Sequence, residues 1–94
     1  MEDKKVYKLN TALILNPISL TLFDITEFKE LCVSNLDGCK TIEINLEKTK
    51  EVDISGFQFI KSLENYCELN GLEIKILNTP DLIKTKFENI GVSL

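Results

Sequence analysis

Apolar and polar residues alternate with a period of two in some stretches of this chain and recur at helical spacing in others. Val6-Tyr7-Lys8-Leu9 and Ala12-Leu13-Ile14-Leu15 read as short strands joined at Asn10-Thr11, and Pro17 ends the second. Thr41-Ile42-Glu43-Ile44-Asn45-Leu46 and Leu72-Glu73-Ile74-Lys75-Ile76-Leu77 alternate more cleanly and predict two further strands. Ile25, Phe28, Leu31, Cys32, Asn35 and Leu36 follow helical spacing. Asp24 is the expected N-cap of that helix, with Glu27 completing a capping box and Phe23 and Phe28 in staple positions; Asp37-Gly38 stops it. A second helix has Phe57, Ile60, Leu63 and Cys67 on one face, flanked by Phe59 and Tyr66, and closes at Asn70-Gly71. Thr79-Pro80-Asp81 starts a third, striped by Leu82, Ile83, Phe87 and Ile90 and ended by Gly91.

The order is β-β-α-β-α-β-α. Strands that alternate with helices need crossover connections, which implies an α/β fold with a mostly parallel, mixed sheet of about four to five strands. Each helix is apolar on one side only, so three or more helices are expected mainly on one face. The 94 residues then form a single domain, 1–94, able to bury a core without a metal or disulfide staple.

Composition narrows the chemistry. A hydrophobic fraction of 44% fits a globular chain. No apolar run approaches the ~18 residues that cross a bilayer. The start, Met1-Glu2-Asp3-Lys4-Lys5, is mixed in charge and unlike a secretory signal, so the cytoplasm is the expected location, with no direct membrane insertion. The net charge of −4, with only interrupted lysine pairs at Lys48/Lys50 and Lys84/Lys86, argues against nucleic acid as a partner. Cys32, Cys39 and Cys67 are an odd number without C-x-x-C spacing in a chain that has no histidine. They point to no metal site, and Cys32 and Cys67 lie on apolar helix faces as small core hydrophobes. No general base stands near a nucleophile in the sequence, and no phosphate-binding glycine motif is present, so an enzyme is not expected and no cofactor is implied.

The stretch with most to say is Glu51-Val52-Asp53-Ile54-Ser55-Gly56-Phe57, an acidic loop that offers one hydroxyl beside a glycine where the second helix begins. Backbone N–H groups at a helix start lack partners and carry roughly half a positive charge. A phosphate on Ser55 would meet those donors, and Gly56 would leave its approach open. Two capping readings compete. Ser55 with Gln58 forms one capping box, stapled by Ile54 and Phe59; alternatively Asp53 caps, stapled by Val52 and Phe57.

With this order of elements, the strand 41–46, the Val52–Phe57 loop, Asn70-Gly71-Leu72-Glu73-Ile74 and the ending Pro80 to Gly91-Val92, the chain resembles the STAS domains of bacterial anti-sigma-factor antagonists and sulfate-transporter tails. In that family the hydroxyl residue before the loop glycine is the phosphoacceptor of the antagonist members, which corresponds to Ser55. Ile54 departs from the common pattern, where a second hydroxyl stands. The resemblance implies a non-enzymatic protein-interaction module in transcription regulation and signalling. It would bind a serine kinase or anti-sigma factor through Asp53, Ile54, Ser55, Gly56, Phe57, Gln58 and Lys61 and be switched by phosphorylation of Ser55. The same resemblance admits a STAS subunit or adaptor of a lipid-transport ABC complex or of a chemotaxis or two-component pathway, docking without phosphorylation. A monomer or weak dimer is expected, because an uncovered edge strand could pair with another chain.

Overall fold

The computed structural model describes residues 5–90; the features expected at Met1-Glu2-Asp3-Lys4 and Gly91-Val92 lie outside them. Strands β1 (Val6–Leu9), β2 (Ala12–Leu15), β4 (Thr41–Asn45) and β6 (Glu73–Leu77) form one sheet in the order β1-β2-β4-β6. β1 runs antiparallel to β2 across the tight Asn10-Thr11 turn, and the other neighbours are parallel. Helices α1 (Leu22–Asn35), α2 (Ile54–Asn70) and α3 (Asp81–Ile90) supply the remaining layer. Gly71 ends α2 at a left-handed φ of +71°, where a side chain would be strained, and Leu72 N–H then donates back to the Cys67 carbonyl.

The core lies between this sheet and the helices. Leu13 and Leu15 of β2 and Ile42 and Ile44 of β4 meet Phe28 and Cys32 of α1, Phe59, Ile60, Leu63 and Cys67 of α2, and Ile83 and Phe87 of α3. Alternation along the strands sends Tyr7, Ile14, Glu43, Asn45 and Lys75 to the opposite face, which none of the described helices covers. The expected α/β fold with helices on one face is therefore present.

Two elements are additional. Glu51–Val52, expected within a loop, is a two-residue strand, β5; it pairs in parallel with β3 (Ser19–Leu20), with Ser19 opposite Glu51 and Leu20 opposite Val52. Two residues are too few to show a period. The polar connection before β5 is also less loose than its composition suggests: Thr49 is buried and its hydroxyl donates to the Pro17 carbonyl.

Candidate functional site

The β3–β5 pair determines what lies beside Ser55. Each of these strands leads directly into a helix, so their register sets Thr21 opposite Asp53 and the first turns of α1 and α2 side by side. Two helix N-termini, each with unsatisfied N–H groups and a partial positive charge, thus share one end of the molecule.

Two carboxylates serve them. Asp53 is the N-cap of α2: its Oδ1 accepts from Gly56 N–H at 3.0 Å, while its Oδ2 accepts from Leu22 N–H at the start of α1 at 2.9 Å. Asp24 Oδ2 accepts from Thr21 N–H at 3.0 Å, the Thr21 hydroxyl at 2.8 Å and the Ser19 hydroxyl at 2.7 Å. Burial pushes the pKa of Asp53 up, but the N–H groups of Leu22, Gly56 and Ser55 together outweigh it and hold the carboxyl below its ordinary 3.8. Asp24 is held low in the same way, burial being overcome by Ser19 and Thr21 with a smaller contribution from Lys5.

The competing capping readings resolve in favour of Asp53. Ser55 sits inside the first turn of α2, partly exposed, and among the described residues its hydroxyl has no hydrogen-bond partner. Two expectations about this loop are corrected. The donors at the helix start are not vacant, because Asp53 already engages those of Gly56 and Leu22. Gly56 is also buried, and a Cβ there would stand 2.0 Å from the Leu20 carbonyl oxygen, so the space left by its missing side chain is taken by β3. The glycine lets α2 approach β3.

The seven residues implied in partner binding divide between flanks of α2. Phe59, one turn after Ser55, meets Phe28 of α1 with ring centroids 6.3 Å apart, so Ser55 lies on the α1 flank. Phe57 instead turns to α3, 5.8 Å from the Phe87 ring, and is half-buried there. Lys61, one turn further, lies over the Phe57 ring and pairs with Glu64 at 3.3 Å. Ile54 and Gln58 are exposed, Asp53 is half-buried in its capping role, and Gly56 offers no side chain. At helical spacing Ile54, Gln58 and Lys61 follow one another along one accessible face of α2, with Phe57 beside them, and Ser55 lies about 100° around the helix from Ile54.

Leu22 and Phe23 were not anticipated as surface residues. Phe23 is 93% exposed, Leu22 65% and Ile54 57%, and the Asp53 carboxylate binds Leu22 to the start of α2. Phe23 was expected in a staple, with Asp24 as the cap; α1 instead starts at Leu22 behind Thr21, and Asp24 reaches back from inside the first turn. The signal was present: the spacing of Ile25, Phe28 and Cys32 sends residue 23 to the opposite side of the helix. At the other end of the β3–β5 pair, Ile18, Lys50, Pro80 and Leu82 line a shallow groove of about 470 Å³.

Among the described residues, no three Cys, Asp or Glu side chains converge to hold a metal ion, and no helix is long and apolar enough to cross a membrane. No protein-family model matches the chain, and a search of curated proteins returns no match.

Proposed function

We propose that the protein is a regulatory interaction module of the STAS type, acting in the cytoplasm, in which Ser55 is the phosphoacceptor and the paired starts of α1 and α2 form the docking surface. The observation that carries this reading is the position of Ser55. Asp53 caps the helix, so the fold makes no use of the Ser55 hydroxyl, and the first turns of the two helices that Asp53 joins carry exposed Ile54, Leu22 and Phe23. Apolar side chains grouped this way suit a partner surface. No base in the described structure hydrogen-bonds to Ser55, which favours an acceptor of phosphate over a nucleophilic catalyst.

The switch would work by repulsion. A phosphoserine adds ~1.5–2 negative charges. At residue 55 they would face the Asp53 carboxylate, with Glu51 two residues further back, and the N–H groups of Gly56 and Leu22 are already committed. Phosphorylation would thus add uncompensated charge at the end of the molecule that carries exposed Ile54, Leu22 and Phe23, and release the partner. The test is affinity capture from the native cytosol with wild-type protein, Ser55→Ala and Ser55→Asp, followed by mass spectrometry of the 51–58 peptide. Wild type and Ser55→Ala should retain the same partner, Ser55→Asp should lose it, and a fraction of native peptide should carry phosphate on Ser55. Equal retention by both variants would end the switch reading and leave constitutive docking.

A further inference from the structure

β6 is an edge strand whose inner face is only partly covered. Glu73 N–H donates to the Lys40 carbonyl and the Leu77 carbonyl accepts from Leu46 N–H, so the main chain of residues 73, 75 and 77 faces β4. That of Ile74 and Ile76 therefore faces outward, where no described strand pairs with it. The side chains of Leu72, Ile74 and Ile76 pack against the core but stay half-exposed, while Ile42 and Ile44, their neighbours on β4, are essentially inaccessible. A strand laid along this edge would satisfy the outward groups and seal the core at the same place.

We propose that the occupant is a second copy of this chain, its β6 pairing antiparallel with β6 about a two-fold axis at Ile74. Charge selects both the partner and the register. Side chains opposite each other must lie on the same face, so a symmetric pair centres on Ile74, Lys75 or Ile76. Centring on Lys75 opposes two lysines. A centre at Ile76 sets Lys75 against Leu77 and runs the ladder into Asn78, whose φ of +55° breaks the strand. With Ile74 at the centre, Glu73 stands opposite Lys75 of the second copy, and Lys75 opposite its Glu73. These are non-hydrogen-bonded pairs, where side chains come closest. On the inner face Ile74 meets Ile74, and Leu72 meets Ile76. Ile74 N–H donates to the Ile74 carbonyl of the second copy and Ile76 N–H to its Leu72 carbonyl. The Leu72 N–H stays with Cys67.

Sedimentation equilibrium on wild type, Glu73→Lys, Lys75→Glu and the double swap tests this, with amide exchange as a local readout. Both positions are exposed, so the variants should fold. The wild-type mass should rise with concentration to that of a dimer and no further, and the Ile74 and Ile76 amides should gain protection in step. Each single reversal creates two like-charged pairs and should weaken association roughly tenfold or more. The double swap should restore it. Equimolar Glu73→Lys and Lys75→Glu should dimerise with each other more tightly than either does alone. The proposal is overturned by a wild-type monomer at concentrations on the order of 1 mM, by a mass that climbs beyond the dimer, or by single variants that associate like wild type.

Discussion

Gly56 is subject to opposed demands. Alanine in its place would gain about 1 kcal/mol of helix propensity, but its Cβ would lie 2.0 Å from the Leu20 carbonyl oxygen, a main-chain atom fixed by the β3–β5 pair. Overpacking against backbone costs about 1–3 kcal/mol, occasionally more, so the clash wins. Gly56→Ala is expected to be less stable than wild type by on the order of 2 kcal/mol, read from the midpoint of urea unfolding at unchanged slope. A variant as stable as wild type would show that α2 can stand away from β3. The glycine itself was plain in the sequence, but its reason was not. Leu20 is far away along the chain, and only the pairing of two very short strands brings its carbonyl there. The same limit applies to Asp53. Its aptitude as an N-cap was legible, but its second bond, to Leu22, depends on a neighbour that local spacing cannot reveal.

Among the elements, α1 and α2 depend on one carboxylate. Asp53 caps α2 and also holds the first N–H of α1, so its loss should loosen both helix starts. Asp53→Ala is expected to cost about 1–2 kcal/mol at neutral pH. The acid dependence follows from the sign of the shift. The folded pKa lies below the ordinary 3.8, so the stabilisation is fully present above that value and disappears as pH falls through the folded pKa. The difference in unfolding free energy between wild type and Asp53→Ala should therefore hold steady from neutral pH down to about 5, then shrink as the solution becomes more acid. A gap unchanged through the acid range would mean that the carboxylate charge contributes nothing to the cap. The longer elements were legible because each repeats its period several times. The start of α1 was misplaced because Thr21 and Asp24 both suit a helix start. Their actual roles, Thr21 as the cap and Asp24 reaching back to it, are separated only by three-dimensional contacts.

At the scale of the whole molecule, three cysteines report whether one core holds the domain together. Cys32 on α1 and Cys67 on α2 are almost fully buried in the same apolar cluster, so neither thiol meets solvent unless its helix leaves the sheet. Burial pushes the Cys32 pKa up to about 11, and burial with the nearby Glu64 carboxylate raises that of Cys67. Neither supplies much thiolate at neutral pH, and the thiolate is the reacting form. Cys39 is different. It lies after α1, half-exposed, with its Sγ donating to the Asn35 carbonyl at 3.3 Å. A disulfide-exchange reagent at neutral pH should therefore modify Cys39 in the folded protein and leave the other two until the chain opens. If sheet and helices form one cooperative unit, Cys32 and Cys67 should react at the same rate. Adding urea should accelerate both in proportion to the rise in the unfolded fraction, with Cys39 scarcely changing. Peptide mapping after timed quenching separates the three sites. Modification of Cys67 well ahead of Cys32 would show instead that α2 and the β6 edge open as a unit of their own, against a core otherwise intact.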